Sequence, residues 1–520
     1  MPRRSFTLVL LAALILAGLH WCFRAHQVGQ WDVVNYCLGV QSFDPLQHRP
    51  HPPGYVFYIA VGKALAALLG NTHTALIVLS CACSGLAAIA ILLLARLFVS
   101  PTLACWITLA ACTNPIAWYY GSVSLSGITG LFWAPFVVWL LVVALRSERP
   151  RTLLMASALV GLVGGFRQDL TLFLVLPWLV VVLQPAWSLL HRVSAVVLLL
   201  VAVGCWLGPT IANCGGLSAY LEASAYLGDI VANDSVLFGG SLERSLATIH
   251  RLIIAIILAN GVSSSLGLCL MPWRWHAVAG LARTRAEAYL LVLWLAPPLA
   301  FWALILFHKS AYLLPVLPGL LLVGTAALAR GKRGSRGVGA ILVISVVLGN
   351  VLYFALPSVD TLYRQGNGFH RPHASASFAS RAARQWLQST YASLCDEDDR
   401  VRSTNAAIAD LARSTPSLAI AVLPNSPYDL RVAMWSFPDL AIYELEGQPG
   451  RWARISRAQA GLWHDLPPDQ PLAIGEVDQV VWVASHDEEI AATLIRQGGV
   501  LLEFGPNVKL VVTDAGIFKL

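Results

Sequence analysis

The stretch HTALIVLSCACSGLAAIAILLLARLF at residues 73–98 decides the fold class of this chain. Such a run is long enough for a helix that crosses a ~30 Å hydrocarbon layer, which takes roughly 20 apolar residues. Similar runs recur along the first two thirds of the sequence, and the strands of membrane β-barrels do not contain them. The sequence therefore predicts a polytopic α-helical membrane protein.

Composition and hydropathy support this class and predict the number of spans. Of the 520 residues, 57% are hydrophobic and 12% are charged, whereas a soluble domain carries about 25% charged residues. A single soluble core is therefore excluded. We predict about eleven transmembrane helices, which cover approximately residues 6–23, 73–98, 102–120, 124–146, 152–166, 169–184, 190–213, 248–271, 288–307, 310–329 and 337–356.

The distribution of Lys and Arg predicts the orientation. With this number of spans every basic cluster falls on the cytoplasmic side, as the positive-inside rule requires. The clusters are Arg3 with Arg4, RSERPR at 146–151, Arg192, the loop at 271–285 and RGKRGSR at 330–336. Topology thus explains the net charge of +7, and nucleic acid is not expected as a partner. No A-x-A-like site precedes Trp21, so we interpret the opening run as an uncleaved helix.

The segment GYVFYIAVGKALAALLG at 54–70 tests the count, because it resembles a further span. Counting it would place RSERPR outside, against the charge rule, and it carries Lys63 in mid-run. We predict a helix that lies along the outer surface or re-enters the membrane. The N-terminus is then cytoplasmic in the inner membrane, and the C-terminal region is periplasmic or otherwise extracytoplasmic.

The C-terminal region has a different composition, with short β-rich runs and helical patterns that alternate. LAIAVLP, VVWVA and VKLVVTD predict strands, and AARQWLQ and EEIAATLIRQ predict helices. We predict a transmembrane domain over 1–357 and a soluble α/β domain over 358–520. The acidic run Asp396–Asp399 is typical of a solvated loop, with metal binding as the alternative.

The ten cysteines give no disulfide framework, since most lie in apolar runs. Cys37, Cys214 and Cys395 fall in segments predicted to lie outside, where a disulfide between two of them can form.

The first outer loop, QVGQWDVVNYCLGVQSFDPLQHRPHPPGYVFYIAVGKAL at 27–65, concentrates the ionisable residues. Asp32 lies just beyond the first span, where a carboxylate can act as a general base or metal ligand. The alternative is a helix N-cap. His48 and His51 are either ligands or hydrogen-bonded interfacial residues, and a Pro52-Pro53-Gly54 turn follows them.

This Asp and the HPPGY turn resemble the integral-membrane glycosyltransferases of the C fold, which include protein O-mannosyltransferases and lipid A aminoarabinose transferases. GLVGGFRQDLTLFLVLPWL at 161–179 is similar to the family's paired helices around an outer-face turn. FHKSAYLLPVLPGLLLV at 307–323 is similar to its late K-x-x-Y-x-L-P-x-x-P segment. The resemblance covers about residues 1–357.

The resemblance implies an inverting membrane glycosyltransferase that moves a sugar from a polyprenyl-phosphate-linked donor in the membrane lipid to an extracytoplasmic acceptor. Asp32 would be the base, assisted by Asp44. Cationic groups would stabilise the charge that the departing phosphate gains. The substrate-binding residues would be His48, His51, Arg167, Asp169, His308, Lys309 and Tyr312. Alternatively, Arg167 pairs with Asp169 and Lys309 snorkels to lipid head groups.

The sequence departs from the family at two points. His51-Pro52-Pro53 stands where some relatives carry a charged acid and base, and the first loop has no D-x-D pair. The need for a divalent metal is therefore open, and no metal ligand is predicted. A lipid-linked substrate flippase or transporter is the alternative function, although no internal repeat supports it. A third possibility is a scaffold protein, which would not need Asp32.

Overall fold

A computed structural model of the chain provides the architecture. The residues that it describes are 3–238, 242–305, 307, 309–328, 331–357, 390–415, 417–422, 428, 430–448, 451–459, 462–466, 478–483, 488–503 and 509–514.

The chain divides into two compact units. The helical unit comprises Met1–Arg24, Phe43–Leu46 and His51–Leu394. The sheet unit comprises Ala25–Ser42, Gln47–Pro50 and Cys395–Leu520, so it includes about half of the first outer loop. The predicted boundary at 357/358 borders residues outside the described ranges and stays a prediction.

The helical unit contains fifteen of the described helices, several of which begin with a side-chain cap. In four of them the side chain of the cap residue accepts a hydrogen bond from a backbone N–H of the first turn; these residues are Asn71, Ser100, Asn114 and Ser188. Such a cap pairs a backbone N–H that has no partner within the helix. The helices are α1 (Arg3–Cys22), α3 (Val56–Leu69), α4 (Thr72–Ala95), α5 (Pro101–Cys112), α6 (Pro115–Ser122), α7 (Gly127–Ser147), α8 (Pro150–Leu162), α9 (Gln168–Val182), α10 (Leu189–Asn213), α11 (Leu217–Asp234), α12 (Leu242–Leu270), α13 (Trp275–Ala279), α14 (Arg285–Leu304), α15 (Leu317–Leu328) and α16 (Gly331–Phe354).

Helices occupy every predicted span, but not all of them are continuous. The span predicted at 102–120 consists of α5 and α6, which Pro115 separates, and α12 bends at Gly261 (φ 67°, ψ 161°). In the described part of the chain, five helices are long and apolar enough to cross a membrane, or six if the bent pair counts as one span. The chain is therefore a multi-pass membrane protein, while the count of eleven stays a prediction.

Helix α3 corresponds to the segment that was excluded from the count. Its 14 residues extend about 21 Å at 1.5 Å per residue, which is less than the ~30 Å of the hydrocarbon layer. Tyr58, Ile59 and Gly62 are buried, whereas Lys63 is exposed. Helices α8 and α15, at two of the predicted spans, have only 13 and 12 residues, so length alone does not test the exclusion of α3, which stays a prediction.

The sheet unit is built on a seven-stranded mixed sheet of order β4-β3-β2-β1-β5-β7-β6. Its central strand β1 pairs in parallel with β2 and β5, and the other pairs are antiparallel. The strands are β1 (Leu418–Val422), β2 (Ala441–Gln448), β3 (Arg451–Gln459), β4 (Leu462–Leu466), β5 (Gln479–Val483), β6 (Val500–Glu503) and β7 (Lys509–Asp514). The helices are α2 (Trp31–Gln41), α17 (Tyr391–Ser414), which begins in the helical unit, α18 (Leu430–Ser436) and α19 (Glu488–Arg496).

Most of the predicted C-terminal elements are present. The runs LAIAVLP, VVWVA and VKLVVTD form β1, β5 and β7, and EEIAATLIRQ forms α19, whereas AARQWLQ lies outside the described residues. The interpretation of Asp396–Asp399 as a solvated loop was wrong, because the run lies within α17 and Asp398 is only 6% exposed. None of the ten cysteines is in a disulfide, so the pairing that the sequence left open is not formed.

Candidate functional site

Glycines between α8 and α9 position the most buried of the predicted cations. A Cβ at Gly164 would lie 2.6 Å from the Trp206 ring, and one at Gly165 would overlap the Phe57 ring. Trp206 also donates its indole N–H to the Gly161 carbonyl at 2.9 Å. The GLVGG turn therefore packs tightly against α3 and α10, which fixes the start of α9 where the resemblance placed an outer-face turn.

Arg167 lies at this turn and caps α9 in extended backbone geometry. It is 5% exposed. Its Nε and Nη2 donate to the two carboxylate oxygens of Asp169 at 3.0 and 2.6 Å, so the ion pair that the sequence left as an alternative is present. An arginine has five N–H donors and this pair uses two. Within the described ranges, the hydrogen bonds of this side chain use Nε and Nη2, and none uses Nη1.

The charge of Arg167 is maintained despite its burial. Burial lowers the pKa of the guanidinium, but Asp169 and, after it, the phenols of Tyr55 and Tyr312 raise it, and the net shift is upward. A permanently charged donor next to two aromatic rings is suited to a phosphate oxygen.

Tyr312 brings a distant segment of the chain to Arg167. The Arg167 guanidinium carbon lies 5.8 Å from the centre of the Tyr312 ring, which stacks on Trp302 at 4.3 Å and 11°. Tyr312 and Asp169 line one narrow cavity. The 161–179 and 307–323 segments therefore meet, as the resemblance implied.

Lys309 belongs to the turn that carries Tyr312. Its carbonyl accepts the Tyr312 backbone N–H at 3.1 Å, and its side chain is exposed. The predicted partner His308 lies outside the described residues. Exposure of Lys309 is compatible both with a phosphate contact and with the snorkelling alternative.

The Pro-Pro-Gly turn adds Tyr55, which the sequence analysis missed although it directly follows Gly54. The His51 Nε2 lies 3.4 Å from the Tyr55 hydroxyl, with the rings perpendicular at 5.4 Å. Gly54 has φ 107°, and a Cβ there would lie 2.8 Å from the Thr210 side chain. Only glycine suits this position. The turn brings the Tyr55 phenol within electrostatic range of Arg167 and places His51 beside Tyr55.

The two predicted carboxylates fall in different units. Asp44 is in the helical unit, where its Oδ1 accepts the Leu46 backbone N–H at 3.0 Å in an Asx turn. Asp32 and His48 are in the sheet unit. Asp32 lies in the first turn of α2, whose cap residue is Gln30, so Asp32 is not the N-cap. A carboxylate there still interacts favourably with the helix dipole.

Among the described residues, no group of three or more His, Cys, Asp or Glu side chains could hold a metal ion.

Comparison with known proteins defines the fold. No protein-family model matches the sequence, and no curated protein matches it. The crystal structure of ArnT from Cupriavidus metallidurans bound to undecaprenyl phosphate superimposes with a TM-score of 0.58 at 15% identity, over 99% of this chain and 98% of that one. The chain has the ArnT fold.

The same enzyme in the apo state gives a TM-score of 0.54 at 15% identity and the same coverage. ArnT is a glycosyltransferase of the C fold, so the predicted resemblance is confirmed at the level of the fold. The superposition extends the ArnT fold beyond residues 1–357, where the sequence resemblance ended, into the sheet unit.

Proposed function

We propose that this protein is an inverting membrane glycosyltransferase that takes one sugar from a polyprenyl-phosphate-linked donor and transfers it to an extracytoplasmic acceptor. The buried, charged Arg167 near Tyr55 and Tyr312 carries the proposal. The fold supports it over the whole chain, and one ArnT structure is described as bound to undecaprenyl phosphate.

In the proposed reaction the bond between the anomeric carbon and the donor phosphate breaks as the acceptor oxygen bonds to the opposite face. The sugar passes through an oxocarbenium-like state, and the phosphate takes the electron pair of the broken bond. Arg167 and Lys309 stabilise the growing negative charge on the phosphate. Asp32 takes the acceptor proton, with Asp44 in a lesser role, and His51 and Tyr55 contact the donor.

A flippase for a lipid-linked substrate is a second candidate, favoured by the bend of α12 at Gly261. Broken helices are typical of transporters, where unwound backbone lines the substrate site. The two candidates differ in one product, because a flippase does not release polyprenyl phosphate.

The direct test is to incubate the purified full-length protein with a panel of polyprenyl-phosphate sugars and a membrane-lipid extract as acceptor. We expect release of polyprenyl phosphate with one donor, measured by chromatography, and roughly 10- to 150-fold less efficient release by Arg167→Ala protein. Parallel reactions with a chelator measure any metal requirement. Movement of an intact donor across vesicles without release would support the flippase instead.

The proposed orientation places the sheet unit outside the cytoplasm. Cys395, half-buried at the start of that unit, is a suitable probe once the other nine cysteines are replaced. A membrane-impermeant maleimide added to intact spheroplasts should label it to the level of denatured controls. Labelling only after lysis of the inner membrane would contradict the eleven-span topology.

A further inference from the structure

The sheet unit holds the segment that precedes Asp32 through the acidic run of α17. The Asp398 carboxylate accepts the backbone N–H of His26 at 2.7 Å through Oδ2 and that of Gln27 at 2.9 Å through Oδ1. Glu397 accepts from the Gln30 side chain at 3.3 Å. Two successive residues on α17 therefore bind three of the six residues directly before Asp32.

A second contact holds the residue next to Asp32. Arg431, on α18, is fully buried, and its guanidinium lies 5.1 Å from the centre of the Trp31 ring. Its Nη2 donates to the Gln47 carbonyl at 3.2 Å, which ties a later part of the same loop to α18.

Asn35 completes the support of Trp31. In the amide orientation that satisfies both neighbours, its oxygen accepts from the Trp31 indole at 2.9 Å and its nitrogen donates to the His48 carbonyl at 3.2 Å. Asp32 therefore follows a residue that is fixed from two sides.

The charges that make these contacts are unfavourable to bury. Burial raises the pKa of the Asp398 carboxyl, and the two backbone N–H donors oppose that shift without cancelling it. A buried charge is weak evidence for stability, since well-packed apolar residues stabilise a core at least as well. The presence of the buried Asp398 carboxylate is better explained by its geometric effect, because it fixes a backbone segment.

We infer that Asp398, Glu397 and Arg431 are positioning residues that hold Asp32 in place, so that the C-terminal domain takes part in the transfer reaction. This inference rests on the proposed function, in which Asp32 is the general base. A general base must stay within hydrogen-bond reach of the acceptor proton, and a displacement of about 1 Å can lower a rate by roughly 10²-fold. Eight of the 11 residues of the helix that carries Asp32 are buried and pack its later turns, and the polar contacts add a hold on the residues directly before Asp32.

Asp398→Asn tests the inference, because an amide has one acceptor oxygen for two backbone donors. Asp410→Asn is the matched control: it makes the same change on the same helix, at an exposed residue paired with Arg413. In the purified full-length protein, hydrogen exchange of peptides covering 26–32 should become at least about tenfold faster with Asp398→Asn, as expected for a segment that opens locally. It should not change with Asp410→Asn.

Kinetics separate positioning from general stability. We expect Asp398→Asn to lower kcat roughly 5- to 30-fold, with the donor KM within about twofold because Arg167 and Lys309 are unchanged. In an Asp32→Asn background the same change should add less than about a twofold loss, since residues that act as one unit are not additive. Arg431→Lys, which keeps the charge but loses the planar stacking on Trp31, should behave similarly, with exposed Arg413→Lys as its control.

Four results would overturn the inference. Unchanged exchange at 26–32 would show that α17 does not hold the segment. An equal loss from Asp398→Asn in both backgrounds would show that Asp398 acts independently of Asp32. Normal kinetics of Asp398→Asn, with an active wild-type protein, would exclude the positioning role and leave the proposed function intact. A wild-type protein that uses no donor would overturn both the proposed function and the positioning role.

Discussion

Asp32→Asn should lower kcat for sugar transfer by roughly 10²–10⁴-fold, which is the usual contribution of a positioned acid or base. An amide cannot take the proton of the acceptor hydroxyl, whereas the donor site at Arg167 keeps its contacts. We therefore expect polyprenyl phosphate to be released much more slowly, while the donor KM stays close to that of the wild type. The measurement is steady-state release of polyprenyl phosphate at varied donor and acceptor concentrations.

The structure makes this substitution informative. Asp32 lies in the first turn of α2 and not at its cap, so the change weakens its interaction with the helix dipole by about 0.3–1 kcal/mol. Membrane level, detergent stability and exchange at 26–32 should stay near wild type. Asp44→Asn is the control and should cause a smaller loss. Full transfer activity in Asp32→Asn would exclude Asp32 as the base and favour a flippase or scaffold.

Hydropathy and charge predicted the helical architecture because the bilayer imposes them on the sequence. A span needs a long apolar run, and its flanking Lys and Arg report its orientation. The division of the 102–120 span was missed, although Asn114 and Pro115 form an Asn-Pro pair that favours a new helix start. The bend of α12 at Gly261 had no such signal, because one glycine in an apolar run is compatible with a continuous helix.

The candidate site was only partly predictable. The resemblance to the family's motifs pointed to Arg167 and Tyr312, and the structure brings these two side chains together, while their roles stay a prediction. Tyr55 was missed because the sequence does not show that its phenol lies near an arginine more than a hundred residues away. The contacts between α17 and residues 26–30 were also missed. Asp398 binds backbone N–H groups about 370 positions away in sequence, and backbone donors leave no pattern of residue types.

Arg167→Ala should lower kcat/KM for the donor roughly 10- to 150-fold, equivalent to the about 1.5–3 kcal/mol of one hydrogen bond to a charged group. Lys309→Ala should give a loss in the same range if its exposed ammonium reaches the phosphate. Arg167→Lys should recover only part of the activity, because an ammonium keeps the charge but not the two-pronged geometry of the guanidinium. Donor titrations with purified protein provide the measurement.

Asp169→Asn distinguishes a phosphate ligand from a structural ion pair. If Arg167 serves only to pair with Asp169, removing either partner breaks the same interaction. Arg167→Ala and Asp169→Asn should then lower stability by similar amounts, and both should leave the donor kinetics nearly unchanged. If Arg167 binds the donor phosphate, Asp169→Asn keeps the guanidinium and should lower kcat/KM much less than Arg167→Ala does. Equal and small kinetic losses in both variants, with Lys309→Ala also normal, would therefore move the phosphate site away from this turn.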